Sequence, residues 1–158
     1  MEMNWLETNR RNWDERVKIH LAAACYDLRP LRNGRGRLNP IEEAELGPVD
    51  GVRILHLQCH FGRDSLILAQ RGAEVVGVDF SSPAIAAASD LAAELELTER
   101  AKFILADLYE APNALSEPGS FDLVQRIICF QSTTTPTKCS VGRPNRIKPA
   151  LETSDTVH

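Results

Sequence analysis

Residues 52–64 read VRILHLQCHFGRD and residues 72–81 read GAEVVGVDFS, and these two stretches decide the fold. Each contains an apolar run of strand length, at residues 52–57 and 74–79, that leads through a short turn into a helical segment. A third such run follows at residues 102–106 (KFILA), and a fourth begins at residues 121–124 (FDLV). Short strands that alternate with helices are typical of βαβ units with right-handed crossovers. The sequence therefore predicts an α/β fold with a parallel sheet and flanking helices.

The helices between these strands are predicted over residues 63–70 and 82–97. In the second helix Ser82 is expected to be the cap and Pro83 the first helical residue, since serine favours the first position and proline the next.

A helical lead-in is predicted over residues 1–50. Apolar side chains recur at helical spacing over residues 12–28, and residues 40–46 indicate one short helix with three glutamates. Between them, residues 29–40 (RPLRNGRGRLNP) lack periodicity and carry four arginines, which favours an exposed basic loop. The alternative for this segment is a lid that closes over a ligand.

The chain changes character after the fourth strand. Residues 132–158 are rich in Ser, Thr, Pro, Lys and Arg without periodicity, which predicts a disordered tail. The fourth strand is then expected to be an exposed apolar edge, which invites self-association by strand pairing. Residues 51–131 are accordingly predicted to form a half-domain.

Net charge and composition limit the classes of partner and the cellular location that the sequence predicts. The 158 residues include 18 Lys and Arg against 22 Asp and Glu, a net charge of -4. This balance offers no broad basic surface, so no nucleic-acid partner is predicted. No signal peptide and no apolar run of spanning length is visible, which predicts a cytoplasmic protein without membrane contact. The four cysteines are widely spaced and indicate free thiols rather than disulfides.

Polar residues follow three of the predicted strands. The turn at residues 56–62 offers backbone N–H groups, and Asp79 and Asp107 end the second and third strands. In an open parallel sheet, ligands bind outside the carboxyl ends of the strands. A carboxylate there can accept from ribose hydroxyls or from an adenine amine, so these residues describe a nucleoside lying across the sheet. No metal site is predicted, because the histidines and the cysteine of one tight turn lack further ligands at zinc spacing.

This order of strands and polar ends resembles the class I S-adenosylmethionine-dependent methyltransferases, from about residue 52 to residue 124. In that family the first turn usually reads acidic-x-Gly-x-Gly-x-Gly. Here His56, Gln58, His60 and Gly62 stand at those four positions. The sequence motif HLQCHFG-x-D, followed by GAEVVGVDFS, resembles a branch of the family that carries this altered turn. The resemblance implies a Rossmann-like fold. This fold is expected to be incomplete here, because the family sheet has seven strands and only four are predicted in this chain.

The resemblance also implies S-adenosyl-L-methionine as the cofactor and a set of cofactor-binding residues. Gly62 and the backbone before it would border the methionine end, Asp79 would hold the ribose, and Phe80 would lie against the adenine. Asp107 and Leu108 would bound the adenine edge. The full set is His56, Gln58, Cys59, His60, Phe61, Gly62, Asp64, Asp79, Phe80, Asp107 and Leu108.

Several of these residues have particular expectations. Gln58 and His60 stand where glycine permits a positive φ, so that backbone would be strained, and their side chains are expected to compensate with hydrogen bonds. Asp64 is expected to stabilise the start of its helix and to meet the cofactor's ammonium. Cys59 is expected to be buried, and Tyr26 to be a packed aromatic rather than a lid residue.

The predicted function is methyl transfer to a small-molecule acceptor, with no catalytic residue assigned. One alternative is a cofactor-binding or inactive module left by truncation, and another is a chain that does not fold by itself. A nicotinamide-dependent oxidoreductase is a less favoured enzyme, because the turn lacks G-x-G-x-x-G.

Overall fold

The computed structural model describes residues 5–117, 119–128, 140–141 and 145–146. Its α-helices are α1 (Trp5–Ala22), α2 (Arg29–Arg32), α3 (Pro40–Leu46), α4 (Arg63–Gln70), α5 (Ser82–Glu94) and α6 (Ala111–Ala114), with a 3₁₀ turn at Ala24–Tyr26. Its strands are β1 (Arg53–Leu57), β2 (Glu74–Asp79), β3 (Ala101–Leu105), β4 (Leu123–Ile128), β5 (Ser140–Val141) and β6 (Asn145–Arg146).

The sheet follows the order β3-β2-β1-β4-β5, and β6 also pairs with β4. Strands β1 to β4 are parallel, so their carboxyl ends meet at one edge. The chain moves from β1 outward to β2 and β3 and then returns to the other side of β1 with β4. This reversal is the place where open α/β sheets bind ligands. The predicted α/β class, with a parallel sheet, flanking helices and an N-terminal helix, is confirmed.

The core lies on both faces of the sheet. The larger cluster packs helices α2, α4 and α5 against one face, with Leu31, Ile54, Leu66 and Val75 almost fully buried. The smaller cluster joins Leu55 and Val78 on the other face to residues around α6. Central strands covered on both faces explain the continuous apolar runs seen in the sequence.

The element bounds agree with the predictions at α4, α3 and β2, are shifted by one residue at the start of β1 and at both ends of β3, and differ more at α5. Helix α5 ends at Glu94 rather than at residue 97, and its cap is Ser81 rather than Ser82. The Ser81 hydroxyl accepts from the backbone N–H of Ala84 at 3.4 Å, while its own N–H donates to Asp79. The strand end therefore places Ser81, and not its neighbour, at the cap.

The lead-in is more helical than predicted. Helix α1 begins at Trp5, seven residues before the predicted start at residue 12, and ends at Ala22. Residues 7–12 of α1 are all polar, so its first turns show no apolar stripe in the sequence, and Glu7 pairs with Arg10 one turn later. The basic segment is a loop only in part, since α2 forms within it and buries Leu31.

The edge of β4 also differs from the prediction. Strands β5 and β6 pair with it antiparallel, at Ile127↔Val141 and Leu123↔Arg146. Of the segment at residues 132–158 that is predicted to be disordered, the structure describes only these two short strands, and the other residues lie outside the described part of the chain. The predicted exposed edge is covered where the pairs form, because the β4 backbone gains partners there. Within the part of the chain that the structure describes, no helix has the length and apolar character needed to cross a bilayer.

Candidate functional site

A cavity of about 180 Å³ opens at the carboxyl ends of the parallel strands. Five of the predicted cofactor-binding residues line it: Gln58, Asp79, Phe80, Asp107 and Leu108. A neighbouring cavity of about 530 Å³ shares Phe80 and Asp107 with it. Residues from β2, from the turn after β1 and from the loop after β3 thus meet at the position where the topology predicts a ligand.

Asp79 is held rigidly at the end of β2. Its Oδ2 accepts from the backbone N–H of His60 at 2.8 Å, and its Oδ1 accepts from that of Ser81 at 2.9 Å. Burial raises the pKa of Asp79 above its ordinary value, and the nearby Asp14 adds to the rise, while the backbone hydrogen bonds oppose it. Each carboxylate oxygen has a second lone pair, so Asp79 can still accept from a ligand.

The loop after β3 supplies the second carboxylate. Asp107 is half-buried and its Oδ1 accepts from the backbone N–H of Tyr109 at 2.9 Å, which fixes the turn. Phe80 and Leu108, both half-buried, add apolar surface beside the two acids. Flat apolar walls with a few placed acceptors suit a nucleoside.

The turn after β1 follows a left-handed path at three positions. The φ angles are 57° at Gln58, 52° at His60 and 74° at Gly62. Side chains at the first two positions make the conformation costly, as predicted, by about 1–2 kcal/mol each. Both residues are held by hydrogen bonds: Gln58 Oε1 accepts from Arg126 Nε at 3.0 Å, and His60 donates its backbone N–H to Asp79. The chain therefore keeps a glycine-type turn without two of its glycines.

His60 points away from the cavity into a cluster of aromatic side chains. Its Nε2 lies 2.9 Å from Nδ1 of His20 on α1, and its ring contacts Trp13, Tyr26 and Phe61. Burial lowers the pKa of His60 to about 4, and it also lowers the pKa of His20. Tyr26 is thus a packed aromatic within the lead-in.

Helix α1 forms one wall of the site. Trp5, Leu6 and Asn9 line the smaller cavity, and Asp14 accepts from the Ser81 hydroxyl at 2.5 Å. The wall therefore comes from α1 rather than from the basic segment that had been the candidate lid.

Other predicted residues lie behind the turn. His56 is fully buried between β2 and β4, its Nδ1 lies 2.7 Å from Ser65 Oγ, and burial lowers its pKa to about 4. Cys59 is buried as expected, and burial raises the pKa of its thiol, which makes it a poor nucleophile. Phe61 belongs to the core, and Gly62 packs against Phe103.

Asp64 also lies away from the cavity. It forms an ion pair of 2.6 Å with Arg63, and burial raises its pKa. Nearby, Glu42 of α3 is 3% exposed and accepts from Gln125 Nε2 at 2.9 Å. This buried polar contact ties the lead-in to β4. Among the described residues, no group of three or more His, Cys, Asp or Glu is arranged to hold a metal.

Sequence reasoning missed several residues that line the smaller cavity. Arg126 on β4 and Tyr109 after β3 reach it, together with the α1 residues named above. The strand order offers a signal for Arg126, because β4 ends beside β1 at the same edge of the sheet. The resemblance ends near residue 124, so it assigned no role to Arg126.

Comparison with known proteins gives one family match and several partial relatives. Residues 48–149 match the family model described as a methyltransferase domain. A curated relative from Azoarcus sp., the 23S rRNA (uracil(1939)-C(5))-methyltransferase RlmD, is 40% identical over 78 residues, which are 49% of this chain and 18% of that protein. An S-adenosylmethionine-dependent methyltransferase from Mesorhizobium loti is 31% identical, with a TM-score of 0.46, over 55% of this chain and 38% of that one.

The chain thus spans less than a fifth of the curated relatives that it matches. The RlmD of Acidithiobacillus ferrooxidans is likewise similar, at 37% identity over 68 residues. Both relatives are named for a substrate in 23S rRNA, and this finding contradicts the prediction that excluded nucleic acid. Net charge misled that prediction, because it sums the charge over all residues and does not describe the local surface that meets a partner.

Proposed function

This chain belongs to the methyltransferase-domain family, and from that premise we propose that it forms the cofactor-binding part of an S-adenosylmethionine-dependent methyltransferase. The family match confirms the predicted class and, with it, S-adenosylmethionine as the cofactor. The activity of the whole protein, its acceptor and its site residues are part of the proposal.

The observation that carries the proposal is the meeting of Asp79, Phe80, Asp107 and Leu108 around one cavity at the strand ends. Their chemistry fits the adenosine part of the cofactor: two carboxylates can accept from hydroxyl and amino groups, and two apolar side chains can face the base. Gly62 leaves no room for a side chain, since an added Cβ would lie 2.6 Å from Phe103. The turn is therefore packed for one backbone path beside the cavity.

Catalysis in such a site depends on how the acceptor's nucleophile is aligned with the methyl group and the sulfur. When bound, the cofactor would supply an electrophilic methyl group, carried on a sulfonium sulfur, for the acceptor's nucleophile. Asp79 and Asp107 would hold the adenosine, and the rigid turn would border the rest of the cofactor, so this chain would contribute to catalysis by positioning the bound group. No catalytic base is assigned to its residues.

An RNA base is the acceptor that we propose first. The names of the curated relatives support it. The rim of the cavity adds a second reason, because Trp5 and Tyr109 are 67% and 81% exposed there, and exposed aromatic rings are the usual platforms for unpaired bases. The small-molecule acceptor inferred from sequence stays a prediction, and the same assay tests it.

Calorimetric titration with S-adenosylhomocysteine tests the cofactor site. We expect saturable binding by the folded chain and an affinity about tenfold lower in Asp79→Asn, which loses a charged acceptor. Asp90→Asn is the matched control, because Asp90 is exposed on α5 and lies outside both cavities. A folded chain that binds no S-adenosylhomocysteine, or that binds NAD in its place, would overturn the proposal.

Transfer of a labelled methyl group to RNA and to small-molecule extracts then tests the acceptor. Incorporation into RNA supports the proposed acceptor, and incorporation only into small molecules contradicts it. Binding without any transfer identifies a cofactor-binding module that performs no chemistry by itself.

A further inference from the structure

Arg126 stands out among the residues that line the smaller cavity. Its lining includes two carboxylates, Asp79 and Asp107, but Arg126 is the one cationic side chain among the described residues around it. It lies on β4 opposite Leu57 of β1, next to the turn and not beside the loop after β3. The cavity therefore has an acidic part and a cationic part.

The guanidinium of Arg126 is oriented by the turn. Its Nε donates to Gln58 Oε1 at 3.0 Å, and Gln58 presents this oxygen from a left-handed backbone with a φ of 57°. In the part of the chain that the structure describes, the two Nη groups of Arg126 have no partner. A guanidinium with a fixed Nε and two open Nη groups is suited to a carboxylate, which it can bind through two parallel hydrogen bonds.

The cofactor has one carboxylate, on its amino-acid end. If its adenosine occupies the acidic part of the cavity, that end extends toward the turn after β1. We propose that Arg126 binds the α-carboxylate of S-adenosylmethionine and that Gln58 is the positioning residue that orients it. The proposal rests on the proposed function and assigns a use to the glutamine that replaces a glycine of the turn.

The test compares ligands that differ only in this carboxylate. Calorimetric titration of the full chain uses S-adenosylhomocysteine and its decarboxylated analogue, 5′-(3-aminopropylthio)adenosine, which keeps the adenosine, the sulfur and the amine. We expect Arg126→Gln to weaken S-adenosylhomocysteine about tenfold, as for the loss of a charge-assisted hydrogen bond, and to leave the decarboxylated analogue unchanged. The matched control is Arg35→Gln, which removes the same charge from an exposed residue outside the cavity lining.

Gln58→Ala separates positioning from direct contact. It should weaken S-adenosylhomocysteine less than Arg126→Gln does, and the double variant should be no weaker than Arg126→Gln alone, since Gln58 acts through Arg126. Thermal unfolding of each variant checks that it is folded.

The failures can be distinguished. Wild-type protein that binds S-adenosylhomocysteine while Arg126→Gln binds it equally well overturns this inference and leaves the proposed function standing. Equal weakening of both ligands by Arg126→Gln also overturns it, because the loss would not depend on the carboxylate. Folded wild-type protein that binds neither ligand overturns both.

Discussion

His20 and His60 share a hydrogen bond of 2.9 Å, between Nδ1 of one ring and Nε2 of the other, although they lie 40 residues apart in the chain. His20 belongs to α1 and His60 to the turn after β1, so the pair joins the helix that forms one wall of the site to this turn. One ring must donate the proton and the other must accept it. The contact therefore requires that at least one of the two imidazoles is neutral.

Acid should release α1 from the turn. The pKa of His60 is lowered to about 4 and that of His20 is also lowered, so the contact is intact at neutral pH. It weakens as the pH falls from 6.5 toward 4, because the released rings bind protons more readily than the paired rings, and it is lost when both rings are protonated. Trp13 reports this change, because its ring lies 5.8 Å from that of His60. Trp5→Phe leaves Trp13 as the only tryptophan of the chain. We expect its emission to move to longer wavelength over this interval as the half-buried ring gains water.

The control for this titration is His60→Gln in the same Trp5→Phe background. Glutamine can bond to His20 but does not titrate, so the transition should shift or disappear. An identical transition in both proteins would show that the pair does not govern the contact between α1 and the turn.

The left-handed turn makes a separate prediction at Gln58. Gln58→Ala and Gln58→Gly both remove the hydrogen bond to Arg126, so the difference between them isolates the backbone. With a φ of 57°, glycine should be the more stable of the two by about 1 kcal/mol, because alanine keeps the Cβ that disfavours this region. Chemical denaturation of the two variants measures the difference. Greater stability of the alanine variant would contradict the left-handed conformation.

The sequence predicted the centre of this fold because its signals are local. The helix over residues 63–70 and the strand over residues 74–79 have their predicted bounds, since each apolar run ends at a turn or an acid. Asp79 and Asp107 could be placed at one edge for the same reason, because parallel strands end together.

The rest depends on contacts between distant residues. Arg126 meets Gln58 across 68 positions, and Ser81 meets Asp14 across 67, and neither pair leaves a periodic trace in the sequence. The early turns of α1 are helical although they lack an apolar stripe. Helix propensity and the spacing of apolar residues do not predict that α1 forms one wall of the site, because this wall forms only when the helix packs against the sheet.

His56 predicts how stability depends on pH. Its pKa is about 4 in the folded state against 6.5 for an ordinary histidine, so the unfolded chain binds more protons between these values. Stability from this residue is thus complete above pH 6.5 and decreases as the pH falls toward 4, by an amount on the order of 3 kcal/mol. The free energy of unfolding of wild type minus that of His56→Asn should increase as the pH is raised from 4 to 6.5, and it should stay level at higher pH.

The comparison with His56→Asn removes opposing effects. Burial raises the pKa values of Asp64 and Asp79, which favours the folded state at low pH, but both proteins contain these acids and their contributions cancel. A difference that does not vary between pH 4 and 6.5 would mean that His56 is not buried as a neutral ring.

Gly62 should tolerate no side chain, for two reasons that can be measured separately. Its φ is 74°, and an added Cβ would lie 2.6 Å from the Phe103 ring and 2.9 Å from Ala88. Gly51→Ala supplies the conformational term alone, because Gly51 has a φ of 71° with nothing within 4 Å, and we expect it to cost about 1 kcal/mol. Gly62→Ala should cost about 3 kcal/mol, since overpacking adds to the strain.

Phe103→Leu should recover part of that excess in a double-mutant cycle, because the ring supplies the closest clash. Equal losses for the two glycines in denaturant unfolding would show that the turn is not packed against Phe103, and the rigid path beside the cavity would lose its support.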